Sequence, residues 1–257
     1  MTTPSPGLTS PFSEIETRAI IERFDRDGCA LVRGVLSAAE CAHLRELTDQ
    51  VAKNSPSFVI RRPEELDLAY VRLFIREPIL SLVRAILGPG CRFCAQNVIR
   101  NEPGQAISHW HVDDLLEHPL PPEIPRWDAR VRLPLIWLSV QVPLSDITSP
   151  ADGPTEIVSG SHFSGRKPPV ENPVFEGRGA EPILCQAGDI YLFNHQVWHR
   201  GSPNTGTRTR YLMQLQYARG DSLATRCMGA PRTPALERVL TDADPELVAF
   251  MHREPSM

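Results

Sequence analysis

The chain of 257 residues lacks three features that would each indicate a class of protein: a basic run, a long apolar segment and a dense set of cysteines. It has 27 basic and 31 acidic residues and a formal net charge of -4. A nucleic acid or an anionic membrane is therefore not an expected partner. The apolar stretch 133–142 is interrupted by proline and is far shorter than the ~20 residues that span a bilayer. Because the sequence carries no secretory signal, we expect a cytoplasmic protein.

The six cysteines are too few and too scattered for a disulfide framework. Two of them, Cys91 and Cys94, have the spacing of half a zinc site. No second pair of cysteines or histidines accompanies them, and such a motif needs that context. We therefore interpret both as reduced residues of a strand.

The chain is predicted to be one domain behind a short tail. Residues 1–12 are rich in Thr, Ser and Pro and are predicted to be disordered, and no polar linker divides residues 13–257. Apolar residues at helical spacing predict a first helix from Ser13. The capping box Ser37-Ala38-Ala39-Glu40 predicts the start of a second helix, and a third is expected over residues 79–87.

From Arg92 onward the pattern changes to short runs that are typical of strands and are broken by Pro and Gly. The predicted strands cover residues 93–100, 108–113, 133–142, 155–158, 181–185, 189–193 and 208–217. Helices followed by many short strands favour an α+β protein whose core is mainly β, a sandwich or barrel with the helices packed outside.

Two histidines and one aspartate form the candidate metal site. His111 and Asp113 are two residues apart, and in a strand such residues project from the same face. Together with His199 they provide two imidazoles and one carboxylate, the ligand set of non-heme Fe(II) oxygenases. Alone, the His-x-Asp tripeptide would as easily be an ordinary pair of strand residues. Asp114 is the alternative carboxylate, although it would point to the opposite face of the strand.

Arg210 gives these three residues a chemical context. It lies in a predicted strand whose inward face would also carry Arg208, Leu212 and Gln214. A guanidinium binds a carboxylate through two parallel hydrogen bonds, and a buried cation needs an anionic partner. If the protein supplies none, a dicarboxylate cosubstrate would serve. Arg208 is the alternative for this role.

These residues, with the segments 24–36 and 152–162, resemble the phytanoyl-CoA dioxygenase family. The similarity extends over residues 24–217, which is most of the chain. The resemblance implies a double-stranded β-helix, also called a jelly roll, of the cupin-like kind. It also implies an oxygenase that depends on Fe(II) and 2-oxoglutarate and consumes O2.

The resemblance further implies roles for single residues. His111, Asp113 and His199 would bind Fe(II), and Arg210 would bind the distal carboxylate of 2-oxoglutarate. Thr155 would also contact this cosubstrate. Related halogenases have a halide in place of the carboxylate, so Asp113 favours hydroxylation, desaturation or ring chemistry over halogenation.

Several polar and aromatic residues are further candidates for the site. Gln96, or its neighbour Asn97, is expected to contact the cosubstrate or the substrate from the strand that leads toward the metal. His195 is interpreted as a loop residue near the metal. Trp110 and Trp198 are expected to lie beside the metal ligands, although a large aromatic residue there is more often part of the packing.

The substrate is expected to be a small molecule, bound by two long loops. Loops beside a site commonly carry specificity, and here they are residues 116–130 and 166–179. Three arginines in or near the first loop would suit an acidic substrate: Arg126, Arg130 and Arg132. The sequence offers no obvious basic groove for the phosphates of a CoA thioester.

Two alternatives to a hydroxylating dioxygenase remain open. His109, Glu117 and the two histidines of the triad approximate the ligand pattern of cupin metalloproteins that do not use 2-oxoglutarate, although the spacing of Glu117 does not fit well. A family member that has lost activity would keep the fold and act as a binding protein, because function lives in the site and not in the fold.

Overall fold

The computed structural model describes residues 12–55, 57–222 and 233–252. In chain order the elements are α1 (Glu14–Asp27), β1 (Cys29–Val32), α2 (Ala38–Ala52), β2 (Val59–Arg61), α3 (Leu68–Arg72), α4 (Ile79–Leu87), β3 (Arg92–Asn101), β4 (Ile107–His111), β5 (Trp137–Pro143), β6 (Thr155–Val158), β7 (Ala180–Pro182), β8 (Ile190–Phe193), β9 (Trp198–Gly201), β10 (Arg210–Ala218), α5 (Pro234–Val239) and α6 (Pro245–Met251). The tail predicted at residues 1–12 lies outside the described residues except for Phe12, which packs partly buried against the main core.

Helices α1 and α2 begin directly after Ser13 and Ser37, where the sequence predicts their starts. The Ser13 hydroxyl accepts a hydrogen bond from the Glu16 amide while the Glu16 carboxylate accepts from the Ser13 amide, and Ser37 and Glu40 repeat this arrangement. Helix α1 ends at Gly28, whose φ of 78° is a conformation that favours glycine. The third predicted helix is confirmed as α4.

The strands form two antiparallel sheets that pack face to face. The larger sheet has six strands in the order β1-β8-β5-β10-β3-β2, and the smaller has four in the order β4-β9-β6-β7. A cluster of buried residues from both sheets, including Ile99, Leu212 and Ile157, fills part of the space between them. This arrangement confirms the predicted α+β class with a double-stranded β-helix at its core.

The outer face of the larger sheet carries the main core. On β10, Tyr211, Met213 and Leu215 alternate with inward residues and pack in one cluster with the helices. The residues between them, Leu212 and Gln214 among others, therefore face the smaller sheet. Because the apolar residues on one face of β10 pack against the helices, only the opposite face, toward the smaller sheet, is available for a site.

Several elements were not predicted from the sequence. These are β2, α3, β9, α5 and α6, most of which are short. Cys91 and Cys94 are buried in two apolar clusters at the start of β3, which agrees with a structural interpretation. Across the three described segments, none of the helices has both the length and the apolar character needed to cross a bilayer.

Candidate metal centre

The predicted triad comes together on the smaller sheet. His111 ends β4 and lies opposite His199 of β9 in the strand register, and Asp113 follows two residues after His111. Asp113 Oδ1 lies 3.9 Å from His111 Nε2 and 3.7 Å from His199 Nε2. One ligand atom from each residue lies within 4.8 Å of the others, and within the described residues this is the only such group of three.

Backbone carbonyl groups orient both imidazoles. His111 Nδ1 lies 2.9 Å from the carbonyl oxygen of His109, and His199 Nδ1 lies 2.8 Å from that of Val197. A ring nitrogen that donates to a carbonyl leaves the other nitrogen with a lone pair for a metal. Both Nε2 atoms are therefore the ligating atoms, and they lie beside the Asp113 carboxylate.

The electrostatics of the site favour the ligand forms of these groups. Burial, together with the neighbouring His199, lowers the pKa of His111 to about 4. Burial alone would raise the pKa of Asp113, but the nearby imidazoles of His199 and His111 outweigh it and lower that pKa to about 2. Near neutral pH the site therefore offers a neutral imidazole at His111 and an ionised carboxylate, as metal ligation requires.

This donor set fits Fe(II). Imidazole and carboxylate together suit this ion, and three protein ligands leave three coordination positions for other molecules. Asp114, the alternative carboxylate, is not part of the group: it is exposed and has a φ of 63°, at the turn that follows Asp113.

Arg210 is a buried cation for which no hydrogen bond or ion pair to a carboxylate is seen in the described part of the chain. Its side chain is only 4% exposed, and burial lowers its pKa from the ordinary value. Nη1 donates to the carbonyl oxygen of Gly153, while Nε is buried without a hydrogen-bond partner. The turn at Gly153 needs glycine, because a Cβ there would lie 3.0 Å from the backbone of Asn204. An anionic ligand would compensate the burial of this guanidinium.

Arg210 and the triad line one cavity of about 130 Å³. Its wall also includes Thr155, whose hydroxyl lies 2.9 Å from the hydroxyl of Tyr191, and the amides Gln141 and Gln214. Gln141 Oε1 is buried without a hydrogen-bond partner. The cavity therefore contains polar groups available to a ligand between the metal ligands and the cation. Gln141 was not predicted from the sequence. The feature that could have indicated it is a single amide within a mainly apolar strand.

The structure places Gln96 away from this cavity, contrary to expectation. Gln96 lies opposite Leu215 of β10 and donates to the carbonyl oxygen of Tyr70, on the helix side of the sheet. Asn97, opposite Gln214, faces the smaller sheet instead. One position along the strand decides between these two faces.

Arg208 is not part of the cavity wall either. It precedes β10, is 65% exposed and forms an ion pair with Asp152 at 3.3 Å. Of the two arginines considered from the sequence, only Arg210 faces the metal ligands. The inward face of this strand begins at Arg210 and not at Arg208.

The side chains of Trp110, Trp198 and Trp137 do not line the cavity at the triad. Trp110 and Trp198 alternate with the ligand histidines and pack with Phe163 and Phe175 on the opposite face of the smaller sheet. Trp137 instead stacks on His195, with ring centroids 4.2 Å apart. Their role is packing, as is more usual for large aromatic residues.

The three loop arginines already have acidic partners. Arg126 pairs with Glu176, and Arg130 and Arg132 pair with Asp128 and Asp25. They line a second cavity of about 450 Å³, which shares no lining residue with the cavity at the metal ligands. The structure therefore gives no support to these arginines as the contact for an acidic substrate.

The four-ligand cupin pattern is not formed. His109 lies against the ring of His111, with centroids 4.7 Å apart, but is outside the group of ligand atoms. Glu117 is bound to His195, with 2.7 Å between Oε1 and Nε2. His195 is a buried residue of the turn before β9, which agrees with its interpretation as a loop residue near the metal.

Comparisons with known proteins agree with this geometry. The family model described as phytanoyl-CoA dioxygenase (PhyH) matches residues 24–211. An uncharacterised protein of Mycobacterium tuberculosis is 33% identical over 67 residues, which are 26% of this chain and 23% of that protein. The match thus spans less than a quarter of the length of this relative.

Three solved structures share the fold. HygX from Streptomyces hygroscopicus, with nickel and 2-oxoglutarate bound, has a TM-score of 0.63 at 20% identity over 78% of this chain and 86% of that chain. SnoN, a non-heme alpha ketoglutarate dependent epimerase from nogalamycin biosynthesis, has a TM-score of 0.64 at 19% identity over 81% and 85%. AviO1 from Streptomyces viridochromogenes Tue57 has a TM-score of 0.60 at 22% identity over 87% and 100%.

Proposed function

The chain belongs to the phytanoyl-CoA dioxygenase family, and from this premise we propose that it is a dioxygenase dependent on Fe(II) and 2-oxoglutarate. The proposed reaction is the hydroxylation of a C–H bond in a small molecule. Small-molecule substrates are supported by two proteins of the same fold, since HygX has been solved with hygromycin B and SnoN with nogalamycin RO.

The observation that carries the proposal is the position of Arg210. It is a buried cation, without a carboxylate bound to it in the described residues, in the wall of the same cavity as His111, Asp113 and His199. A metal site alone would not need this residue. A ligand that chelates the metal at one end and carries a carboxylate at the other would satisfy both groups, and 2-oxoglutarate has this form.

When bound, Fe(II) with 2-oxoglutarate and O2 supplies the oxidation of the C–H bond, coupled to decarboxylation of 2-oxoglutarate to succinate and CO2. The protein's own residues hold and shield the reactants. His111, Asp113 and His199 would hold the metal through one ligand atom each. Arg210 and Thr155 orient the distal carboxylate of 2-oxoglutarate.

Apolar residues of the cavity wall limit the access of water to the reactants. Ile99, Phe193 and Leu212 are almost fully buried and lie in the wall with the polar groups. Excluding water strengthens the electrostatic contacts of Arg210 and protects reactive species from side reactions.

An anaerobic titration tests the proposal. Fe(II) and then 2-oxoglutarate are added to the apo protein, and the weak visible charge-transfer band of the chelated oxoacid is measured. We expect the band in the wild type and its loss in His199→Ala. If the protein binds the metal but the band does not appear, the proposal that it uses 2-oxoglutarate is wrong, and a metalloprotein with another activity is favoured. The band without substrate-stimulated succinate release would favour a binding protein.

A further inference from the structure

The loop that carries Asp113 is joined to the turn before β9 by four hydrogen bonds. The Asp113 amide donates to the His195 carbonyl oxygen at 2.8 Å. Gln196 Nε2 donates to the carbonyl oxygens of Asp113 at 3.3 Å and Leu115 at 3.1 Å, and Gln196 Oε1 accepts from the Glu117 amide at 3.1 Å. Three residues of the loop, Asp113, Leu115 and Glu117, are therefore bound to the same turn.

A buried pair of side chains adds a fifth contact. Glu117 Oε1 lies 2.7 Å from His195 Nε2, and the two residues are 78 positions apart in the chain. The His195 side chain is fully buried and the Glu117 side chain is 8% exposed. The imidazole also stacks on Trp137, with the ring planes 18° apart. Glu117 Oε2 also lies 3.9 Å from His118 Nε2, but the hydrogen bond of the Glu117 carboxylate is to His195. Breaking that bond would leave two buried polar groups without compensation, so the pair has little freedom to move.

These contacts lie directly beside two metal ligands. The turn leads within three residues of Gln196 to His199, and the loop begins at Asp113 itself. Neither Glu117 nor His195 is part of the ligand group. Their contacts instead fix where the loop lies relative to β9, and hence the distance between the Asp113 carboxylate and the His199 imidazole.

We infer that Glu117, His195 and Gln196 are positioning residues that set the affinity of the triad for its metal by holding Asp113 against β9. Glu117 is also the second residue of the long loop 116–130, so the same contacts anchor that loop at the edge of the site. The inference rests on the proposed function in one respect only, that the triad binds a divalent metal.

Co(II) is the probe that separates positioning from simple stabilisation, because its visible spectrum reports the geometry of its ligands. Glu117→Leu removes the acceptor for His195. Because Glu117 acts on the ligands through His195 and the loop, we expect Co(II) binding to weaken by about 10-fold, the lower end of the loss that removal of a direct partner of a ligand causes. The visible spectrum should change as Asp113 moves. Glu117→Gln keeps an oxygen that accepts from His195 and should restore both the affinity and the spectrum.

Asp189→Asn is a matched control. Asp189 is a buried carboxylate directly before β8 that accepts from the Arg33 guanidinium at 2.7 Å and from the amides of Gly34 at 2.9 Å and Gln186 at 2.8 Å. We expect this variant to be less stable than the wild type but to bind Co(II) with the same affinity and spectrum. A loss of affinity in this control as large as in Glu117→Leu would overturn the positioning role.

Gln196→Glu is the second variant, in case Glu117→Leu does not fold. It keeps the size of the side chain but replaces the donor to Asp113 and Leu115 with an acceptor, so Co(II) binding should weaken. Unchanged binding and an unchanged spectrum in folded Glu117→Leu or Gln196→Glu would overturn the inference alone. A wild-type protein that does not bind Co(II) would overturn the proposed metal site and the inference with it.

Discussion

The two sheets contribute different parts of the candidate site and are held in different ways. The central strands of the larger sheet, β3, β5 and β10, have ten, seven and nine residues and pack against the helices. The strands of the smaller sheet have three to five residues. The smaller sheet and its loop supply all three metal ligands, whereas the larger sheet supplies Arg210 and the amides of the cavity wall.

This difference separates two tasks. Arg210 lies in a strand whose neighbours on both sides are long and whose outer face is buried, so packing fixes the strand, and a hydrogen bond to the Gly153 carbonyl oxygen holds the guanidinium. The metal ligands lie at the ends of short strands, where fewer apolar contacts are available. Their positions depend more on directional hydrogen bonds, such as those of His111 and His199 to backbone carbonyl oxygens.

The largest effect is expected from Asp113→Ala, on the smaller sheet. Removing one of three ligands should lower the affinity for Fe(II) or Co(II) by more than the roughly 100-fold that loss of an outer partner can cause. Equilibrium dialysis under anaerobic conditions measures this. His109→Ala is the control, because its ring touches His111 while only its backbone orients the ligand. Equal losses in both variants would contradict the assignment of the triad.

The next effect is expected on the larger sheet, from Arg210→Ala. Truncating one partner of a buried charge pair should weaken 2-oxoglutarate binding by about 3 kcal/mol, or roughly 100-fold. Metal affinity should stay unchanged, which would separate the tasks of the two sheets. Calorimetry on the Co(II)-loaded protein measures both, with Arg208→Ala as the control because Arg208 is exposed. A loss in Arg208→Ala instead would reverse the assignment of the two arginines.

A smaller effect concerns the pH dependence of stability at the end of the smaller sheet. Burial lowers the pKa of His162 to about 4, and its Nε2 lies 3.0 Å from the carbonyl oxygen of Asp25. The unfolded chain, with a pKa near 6.5, then binds the proton more readily than the folded chain. Stability should therefore fall as the pH drops from 6.5 toward 4, with about 2 kcal/mol lost from this group by pH 5.

Urea unfolding of the apo protein at pH 7 and pH 5 measures this loss. His162→Gln cannot take up the proton, so its stability should change less between the two pH values than that of the wild type. The same slope in both proteins would show that the imidazole is not held neutral in the fold. The pKa of His111 is also lowered, but His111 is present in both proteins, so its contribution cancels in the comparison.

Sequence reasoning succeeded where the signal was local. The helix start at Ser13, the capping box at Ser37 and the inward position of Arg210, Leu212 and Gln214 on β10 depend on neighbours in the chain, and the structure agrees with them. The triad could be found because few other combinations of residues suit one metal. The pair His111 and Asp113 is weak evidence alone, and the prediction rests on its combination with His199 and Arg210.

Sequence reasoning failed where the orientation of a residue depended on the register between strands, or where two residues in contact are distant in the sequence. Whether Gln96 or Asn97 faces the site is decided by pairing with β10, and a one-residue shift exchanges them. The contact between Glu117 and His195 joins residues 78 positions apart, and no local pattern indicates it. Glu117 was noticed only as a possible metal ligand, a role that this contact excludes.

The smallest effect compares two matched substitutions, one in each sheet. Ile190 of β8 packs in the main core beneath the helices, and Ile157 of β6 lies opposite His199 in the strand register. Isoleucine to valine removes one methylene group, so each variant should lose about 1 kcal/mol of unfolding free energy. Only Ile157→Val should also weaken Co(II) binding, and only by a small factor, because the smaller sheet has fewer other contacts that keep His199 in place. Urea unfolding and Co(II) titration of both variants make the comparison. Equal Co(II) affinities with equal losses of stability would mean that packing holds both sheets alike, and the division of tasks between them would fail.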